Sequence, residues 1–121
     1  MSDALTWFEI PTEDLHRAQR FYEEVLQVKL IPYDNDGDPM RLFPAPEPFV
    51  KGSLVYREEQ KPSMAGTQVY LRLSGDVGKA EARVKQAGGS IIVPKMTVPG
   101  VPGEMFSMRD SEGNLVGVHG L

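Results

Sequence analysis

The chain has 121 residues, of which 40% are hydrophobic and 25% charged, and its formal net charge is −4. This balance is typical of one soluble globular domain, and without a Lys/Arg cluster it argues against nucleic acid or an anionic membrane as the main partner. The absence of cysteine excludes disulfides, thiolate metal sites and a cysteine nucleophile. No apolar run is long enough for a bilayer and the start is unlike a signal peptide, so we expect a cytoplasmic protein.

The first predicted elements are a strand over residues 7–10 and an amphipathic helix that ends near residue 26. Pro11 ends the strand, and the side-chain oxygens of Thr12 and Asp14 are placed to cap the helix. Apolar residues then recur at helical spacing and predict one buried stripe. The stripe consists of Leu15, Ala18, Phe21, Tyr22, Val25 and Leu26.

Three predicted strands follow this helix, and a polar linker comes after them. The strands cover residues 28–33, 40–43 and 52–57, with a turn at Asp36-Gly37 between the first two. Residues 59–66 are polar and contain Pro and Gly, so we interpret them as the linker.

The rest of the chain repeats this order of elements. Residues 68–73 predict a strand, and Val77–Ala87 predict a helix capped by Asp76 at its start and by a left-handed Gly88 at its end. Three more strands are predicted at residues 90–93, 104–108 and 114–119. The intervening residues 94–103 contain three prolines and two glycines and predict a loop, either a lid over a pocket or a structural connection.

Matched positions in the two halves lie 63 residues apart, as in Trp7 and Tyr70 or Glu13 and Asp76. This repeat predicts an α+β fold of two tandem βαβββ units, about residues 4–60 and 67–121. Each unit is too small for a core of its own, so we predict a single domain over 1–121. With antiparallel connections inside each unit, two four-stranded sheets form a half-open barrel around a cavity.

Several motifs resemble the glyoxalase/bleomycin-resistance/dioxygenase group, the vicinal oxygen chelate superfamily. They are WFEIP-x-x-DL-x-RA-x-x-FY-x-x-VL at the start, the GG that ends the second helix, and the late D-x-EGNL. The resemblance covers nearly the whole chain, including its doubling. It implies a glyoxalase-like fold, a cavity for a small organic molecule, and a homodimer.

The resemblance also locates the positions at which metal-using members hold a divalent ion, usually through His, Gln or Glu. These positions fall on Trp7, Leu54, Tyr70 and Gly117. None of the four is a usual ligand for a divalent cation. We therefore predict no metal and no other cofactor.

Two residues further along the same strands lie Glu9, Tyr56, Arg72 and His119. Steps of two keep side chains on one face of a strand, so we predict that these polar groups line the cavity. Glu9 is the candidate general base and His119 the candidate general acid. Arg72 offers a fork for a carboxylate or phosphate, and Tyr56 a phenol.

Other interpretations of these residues stay open. Trp7 and Tyr70 are candidate aromatic walls for a ligand, although strand aromatics are often core residues. Glu9 and Arg72 are also candidates for a buried ion pair between the units. Glu9 and His119 are the donors of a shifted metal site, if a metal binds.

Three functions are compatible with the sequence. The first is a protein that binds a small organic molecule in its cavity without the usual metal. The second is a metal-dependent lyase, isomerase or dioxygenase with a shifted ligand set. The third is a resistance protein that sequesters a drug.

Overall fold

A computed structural model of the protein describes residues 4–46 and 51–121, so residues 1–3 of the predicted domain lie outside the described residues. Two helices and eight strands follow the predicted order in these ranges, which confirms the α+β fold of two tandem βαβββ units. The first unit contains β1 Trp7–Pro11, α1 Leu15–Leu26, β2 Ile31–Asp34, β3 Pro39–Leu42 and β4 Lys51–Val55. The second contains β5 Tyr70–Leu73, α2 Val77–Ala87, β6 Ser90–Val98, β7 Val101–Arg109 and β8 Leu115–Gly120.

Each unit forms one four-stranded sheet, with the strand orders β1-β4-β3-β2 and β5-β8-β7-β6. The last three strands of each unit are antiparallel, as predicted. The first strand returns beside the last one and pairs with it in parallel. Among the described residues no ladder joins the two sheets, so the barrel stays half open.

One buried apolar cluster contains residues from both helices and both sheets. The two helices pack against each other, with Ala18 and Ala80 fully buried. All predicted stripe residues of α1 are buried except Leu15, which is partly buried. Burying one such apolar side chain contributes about 1.5–3 kcal/mol.

Both helices begin at an aspartate cap. Asp14 accepts a hydrogen bond from the Arg17 amide, and Asp76 accepts one from the Lys79 amide. The predicted capping role of Thr12 is wrong, because its hydroxyl is fully buried and donates instead to the Val55 carbonyl. In the described part of the chain, neither helix is long and apolar enough to cross a membrane.

The second unit supplies charged groups to both ends of α1. The side chain of Glu112 is fully buried and accepts hydrogen bonds from the amides of Glu13 and Asp14 at 2.9 and 2.8 Å. It also forms a two-point ion pair with Arg17. At the other end, Arg83 of α2 donates to the Val25 carbonyl at 2.8 Å. An anion at the N-terminus and a cation at the C-terminus both favour the helix dipole.

The turn between β7 and β8 fastens the second unit to the first. Asp110 is fully buried, and its carboxylate accepts bonds from three amides of its own turn and from the Tyr22 hydroxyl at 2.5 Å. Asn114 donates to the Pro11 carbonyl at 2.8 Å and accepts from the Ser63 amide. The D-x-EGNL motif is therefore a structural joint between the units.

The predicted loop over residues 94–103 is wrong. Strand β6 continues to Val98 and β7 begins at Val101, so the segment forms the outer part of a long hairpin. Pro94 is tolerated because β6 is the edge strand of its sheet, where an N–H can point away from the partner strand, and Pro99 lies in the turn between β6 and β7.

The predicted place of Leu54 on the cavity face is also wrong. Trp7 pairs with Lys51, and Tyr70 pairs with Gly117. If Trp7 and Tyr70 are equivalent, their partners Lys51 and Gly117 are equivalent too, and these lie 66 residues apart instead of 63. Side chains alternate between the two faces of a strand. Leu54 therefore points to the buried core, whereas Ser53 lies beside Glu9 on the opposite face.

Candidate functional site

Described residues of each unit line a concavity, and we call these two the first-unit and the second-unit concavity. The first-unit concavity measures about 380 Å³ and is lined by Trp7, Glu9, Tyr33, Asn35, Met40, Leu42 and Arg57. The second-unit concavity measures about 470 Å³ and is lined by Tyr70, Arg72, Val98, Val101, Met105 and His119.

These linings separate residues that the sequence analysis grouped together. Glu9 lies in the first-unit concavity, whereas Arg72 and His119 lie in the second. Glu9 forms its ion pair with Arg57 and not with Arg72. Tyr56 lines neither concavity: it follows β4, is half exposed, and has the Lys61 Nζ 5.3 Å from its ring centroid.

Arg57 is the centre of the first-unit concavity, and all five of its N–H groups are used. Nη1 donates to Glu9 Oε1 at 2.5 Å and to Gln60 Oε1 at 3.2 Å. Nη2 donates to Glu9 Oε2 at 3.1 Å and to Asp38 Oδ2 at 2.7 Å, and Nε donates to the same Asp38 oxygen. No donor of this guanidinium remains for a ligand.

The charge of Glu9 is set by these contacts. Hydrogen bonds from Arg57 lower the pKa of Glu9, burial raises it, and a bond from the Trp7 indole at 3.3 Å lowers it again. The net shift is downward, so Glu9 is a carboxylate at neutral pH. A general base with a lowered pKa is weaker, and this environment suits charge pairing better than proton abstraction.

In the second-unit concavity, by contrast, the arginine has no partner among the described residues. Arg72 and His119 are direct neighbours on β5 and β8, so their side chains share one face of the sheet. Among residues 4–46 and 51–121, Arg72 has no hydrogen bond or ion pair. His119 Nε2 donates to the Pro102 carbonyl at 2.7 Å, which leaves Nδ1 of the neutral ring as an acceptor.

The remaining walls of this concavity are apolar. Tyr70 is half exposed, and its ring lies directly over Gly117 on the neighbouring strand. A Cβ atom at Gly117 would come within 2.1 Å of the Tyr70 ring, so glycine is required for the ring to lie there. Met105, Val98 and Val101 close the other side. The result is an open apolar surface with one unpaired guanidinium and one imidazole.

Two charged residues were missed by the sequence analysis: Arg57, which lines the first-unit concavity, and Asp38, which pairs with it. Arg57 was placed inside a strand, and Asp38 was treated as part of a solvated turn. Glu9, a partner of Arg57, is 48 residues away from it in the chain, and no local pattern signals a contact over that distance. In the structure, Asp38 closes the β2–β3 turn through backbone bonds with Asn35, and Arg57 lies two residues past the end of β4.

Sequence comparison identifies the family. The profile of the Glyoxalase/Bleomycin resistance protein/Dioxygenase superfamily matches residues 4–118. The chain belongs to this superfamily. Among curated proteins, no sequence matches the chain significantly.

Solved structures of the superfamily share the fold at low sequence identity. A glyoxalase/bleomycin resistance protein from Albidiferax ferrireducens is 15% identical with a TM-score of 0.70, over 98% of this chain and 100% of that one. A fosfomycin resistance protein from Listeria monocytogenes is 15% identical with a TM-score of 0.67, over 100% and 93%. A glyoxalase I variant from Zea mays is 24% identical with a TM-score of 0.69, over 95% and 46%.

The divalent ion of metal-using superfamily members does not fit the residues of this chain. The pseudo-equivalent positions are Trp7, Lys51, Tyr70 and Gly117, and none is a usual divalent-ion ligand. At Gly117 the Tyr70 ring already fills the space that a ligand side chain would need. In the described part of the chain, no three His, Cys, Asp or Glu side chains converge on one point.

Proposed function

We propose that the protein binds a small organic anion in its second-unit concavity, without a resident divalent ion. The observation that carries this proposal is the unpaired guanidinium of Arg72 beside an apolar surface. Five free N–H donors in a fork fit a carboxylate or phosphate in two-point geometry. The flat walls of Tyr70 and Met105 suit an aromatic or alkyl body attached to that anionic group.

His119 supports the same ligand. Its Nδ1 is free to accept a hydrogen bond from a hydroxyl or N–H group on the body of the ligand. Catalysis by His119 as a general acid remains a prediction, and so does the homodimer implied by the resemblance.

The other two functions are less well supported. The metal-dependent enzyme requires Glu9 and His119 at one ion, yet they line different concavities. Sequestration of a cationic drug needs available carboxylates, and those of Glu9 and Asp38 are already paired with Arg57.

The test uses benzoate and phenylphosphonate as probes in an NMR titration. Saturable shift changes are expected for amides of β5 and β8, and Arg72→Met should weaken binding at least tenfold. Arg20→Met is the matched control, because Arg20 is exposed on α1, and it should bind like the wild type. Equal binding by Arg72→Met, or no saturable change in β5 and β8, would contradict the proposal.

Elemental analysis of protein purified without chelator or affinity metal tests the second half of the proposal. Metal-free protein that still binds benzoate is the expected result. Near-stoichiometric Ni, Zn, Fe or Mn, with anion binding lost on chelation, would overturn the metal-independent function.

A further inference from the structure

The first-unit concavity plays no part in the proposed anion site, yet it holds the denser charge cluster of the two concavities. Four oxygens contact one guanidinium: Glu9 Oε1 and Oε2, Asp38 Oδ2 and Gln60 Oε1. Side-chain oxygens, with carboxylates in the majority, are the donors that hard cations such as Ca²⁺ select in proteins. The cluster is therefore a cation site whose cation belongs to the chain.

The residues that carry these oxygens are held by backbone contacts that do not involve the side chain of Arg57. Glu9 lies in β1, which is paired along its length with β4. Asp38 closes a turn in which its amide and carbonyl bond to those of Asn35 at 3.2 and 3.0 Å. Gln60 is held by a β-bridge to Arg57. Donors on ordered segments keep their positions better than donors on free loops when the central cation is removed.

One further oxygen lies next to this cluster without a partner. Ser53 is the direct neighbour of Glu9 on β4, so its side chain is on the same face of the sheet. Its hydroxyl is fully buried and makes no hydrogen bond. A buried hydroxyl without a partner is uncommon in folded proteins. The Ser53 oxygen is therefore available to a further group or ion bound in this cluster.

We propose that Arg57 is a built-in cation that takes the place of a metal ion in the first-unit concavity. Its single positive charge lies between two carboxylates, so the cluster keeps a net charge of −1 and its oxygens are occupied. Removing the guanidinium leaves a charge of −2 and four converging oxygens. The side chain of Arg57 thus keeps a latent oxygen-donor site closed to hard divalent and trivalent cations.

The probe is Tb³⁺, whose emission is sensitised by a nearby tryptophan. Trp7 is the single tryptophan of the protein, and its Nε1 is 3.3 Å from Glu9 Oε2. In Arg57→Met, excitation of Trp7 should give saturable Tb³⁺ emission with an affinity at least tenfold above that of the wild type. Ca²⁺ should compete for the same site and raise the unfolding temperature of this variant alone.

Three matched variants sharpen the test. Arg72→Met removes the same charge from the second unit and should stay closed to Tb³⁺. The double variant Arg57→Met/Glu9→Gln should lose the gained binding, and Arg57→Lys, which keeps a cation, should show little. Wild-type binding as tight as that of Arg57→Met would overturn the proposal. So would a folded Arg57→Met that does not bind Tb³⁺, or a double variant that binds equally well.

Folding of the variant is controlled in the same experiment. If Arg57→Met unfolds, millimolar Ca²⁺ should restore its cooperative thermal transition, because the ion replaces the lost charge. Failure of this rescue, in that variant and in the more conservative Arg57→Gln, would count against the proposal. The result is independent of anion binding, which is read out in the second unit with benzoate.

Discussion

The two repeat units contribute one arginine each to their concavities, and the two arginines are used in opposite ways. Arg57 donates all five of its N–H groups to Glu9, Asp38 and Gln60. In the described part of the chain, Arg72 donates to no protein group, and an imidazole and apolar side chains surround it. In this duplicated fold, neighbouring side chains therefore decide whether an arginine is paired within the protein or left without a protein partner.

The two helices differ in a similar way. α2 carries its own C-terminal features, with Lys85 in its last turn and Gly88 in the left-handed conformation. α1 has neither an acidic residue in its first turn nor a basic one in its last turn. It receives both charges from the second unit, through Glu112 and Arg83. The first unit thus caps the start of its helix with Asp14 but receives a further charged group at each end from the second unit.

The largest expected effect is on stability and separates the two arginines. Arg57→Met leaves Glu9 and Asp38 as neighbouring unpaired carboxylates, and we expect the free energy of unfolding to fall by about 2 kcal/mol. Arg72→Met should change it by no more than about 0.5 kcal/mol, because Arg72 has no partner to lose. Urea unfolding of both variants in metal-free buffer measures the difference. Equal losses of unfolding free energy in the two variants would contradict the different roles of the two arginines.

The next effect concerns the dependence of α1 on Glu112. Glu112→Gln keeps the size of the side chain but removes its charge, and we expect a loss of about 1.5 kcal/mol at pH 7. Glu24→Gln, an exposed change on α1, is the control. Thermal unfolding of both variants gives the values, and an equal stability of the two would contradict a stabilising role of Glu112 at the start of α1.

The stabilising effect of Glu112 should also depend on pH. Burial raises the pKa of Glu112, but bonds from Arg17, the Asp14 amide and Ser111 outweigh it and lower the net pKa. A lowered folded-state pKa gives stability that is present above the unfolded-state value of about 4.3 and is lost as the pH falls through the folded-state value. Between pH 5 and about pH 3 the wild type should therefore lose more stability than Glu112→Gln. Parallel curves would show that Glu112 does not contribute.

The smallest expected effect is at the other end of α1. Arg83→Met removes the two bonds to the Val25 carbonyl, and we expect a loss of about 1 kcal/mol. Amide hydrogen exchange should increase first in the last turn of α1 and not in α2. Arg20→Met, which removes an exposed arginine from α1 itself, should leave the exchange unchanged. Faster exchange in both helices would indicate general destabilisation.

Much of the fold was predictable because its signals are local. Val77–Ala87 has the predicted bounds, since Asp76 and Gly88 mark the ends by side-chain chemistry and backbone conformation. The hairpin over residues 94–103 was not predictable from composition. Proline and glycine usually interrupt strands, but an edge strand tolerates Pro94, and Gly100 lies in the turn between β6 and β7 with a positive φ.

The candidate site was predictable only in part. Arg72 and His119 lie together because β5 and β8 are paired in parallel. A shared face was predicted from the sequence for these two residues, but the pairing of their strands was not. The prediction for Leu54 failed, because the last strands are offset by three residues from the constant repeat, and an odd offset exchanges the two faces of a strand. The prediction that Tyr56 lines the cavity failed for the same reason, because it was made by stepping two residues along the strand from Leu54.

The sequence by itself determined the doubling, the order of elements, the helix caps and the superfamily, because each depends on residues close together in the chain or on a repeated pattern. Only the tertiary structure decided which sheet face each strand residue occupies and which charges meet. The register between strands sets both, and it joins residues as distant as Glu9 and Arg57, or Glu13 and Glu112. These long-range pairings distinguish a saturated arginine in one unit from an available one in the other.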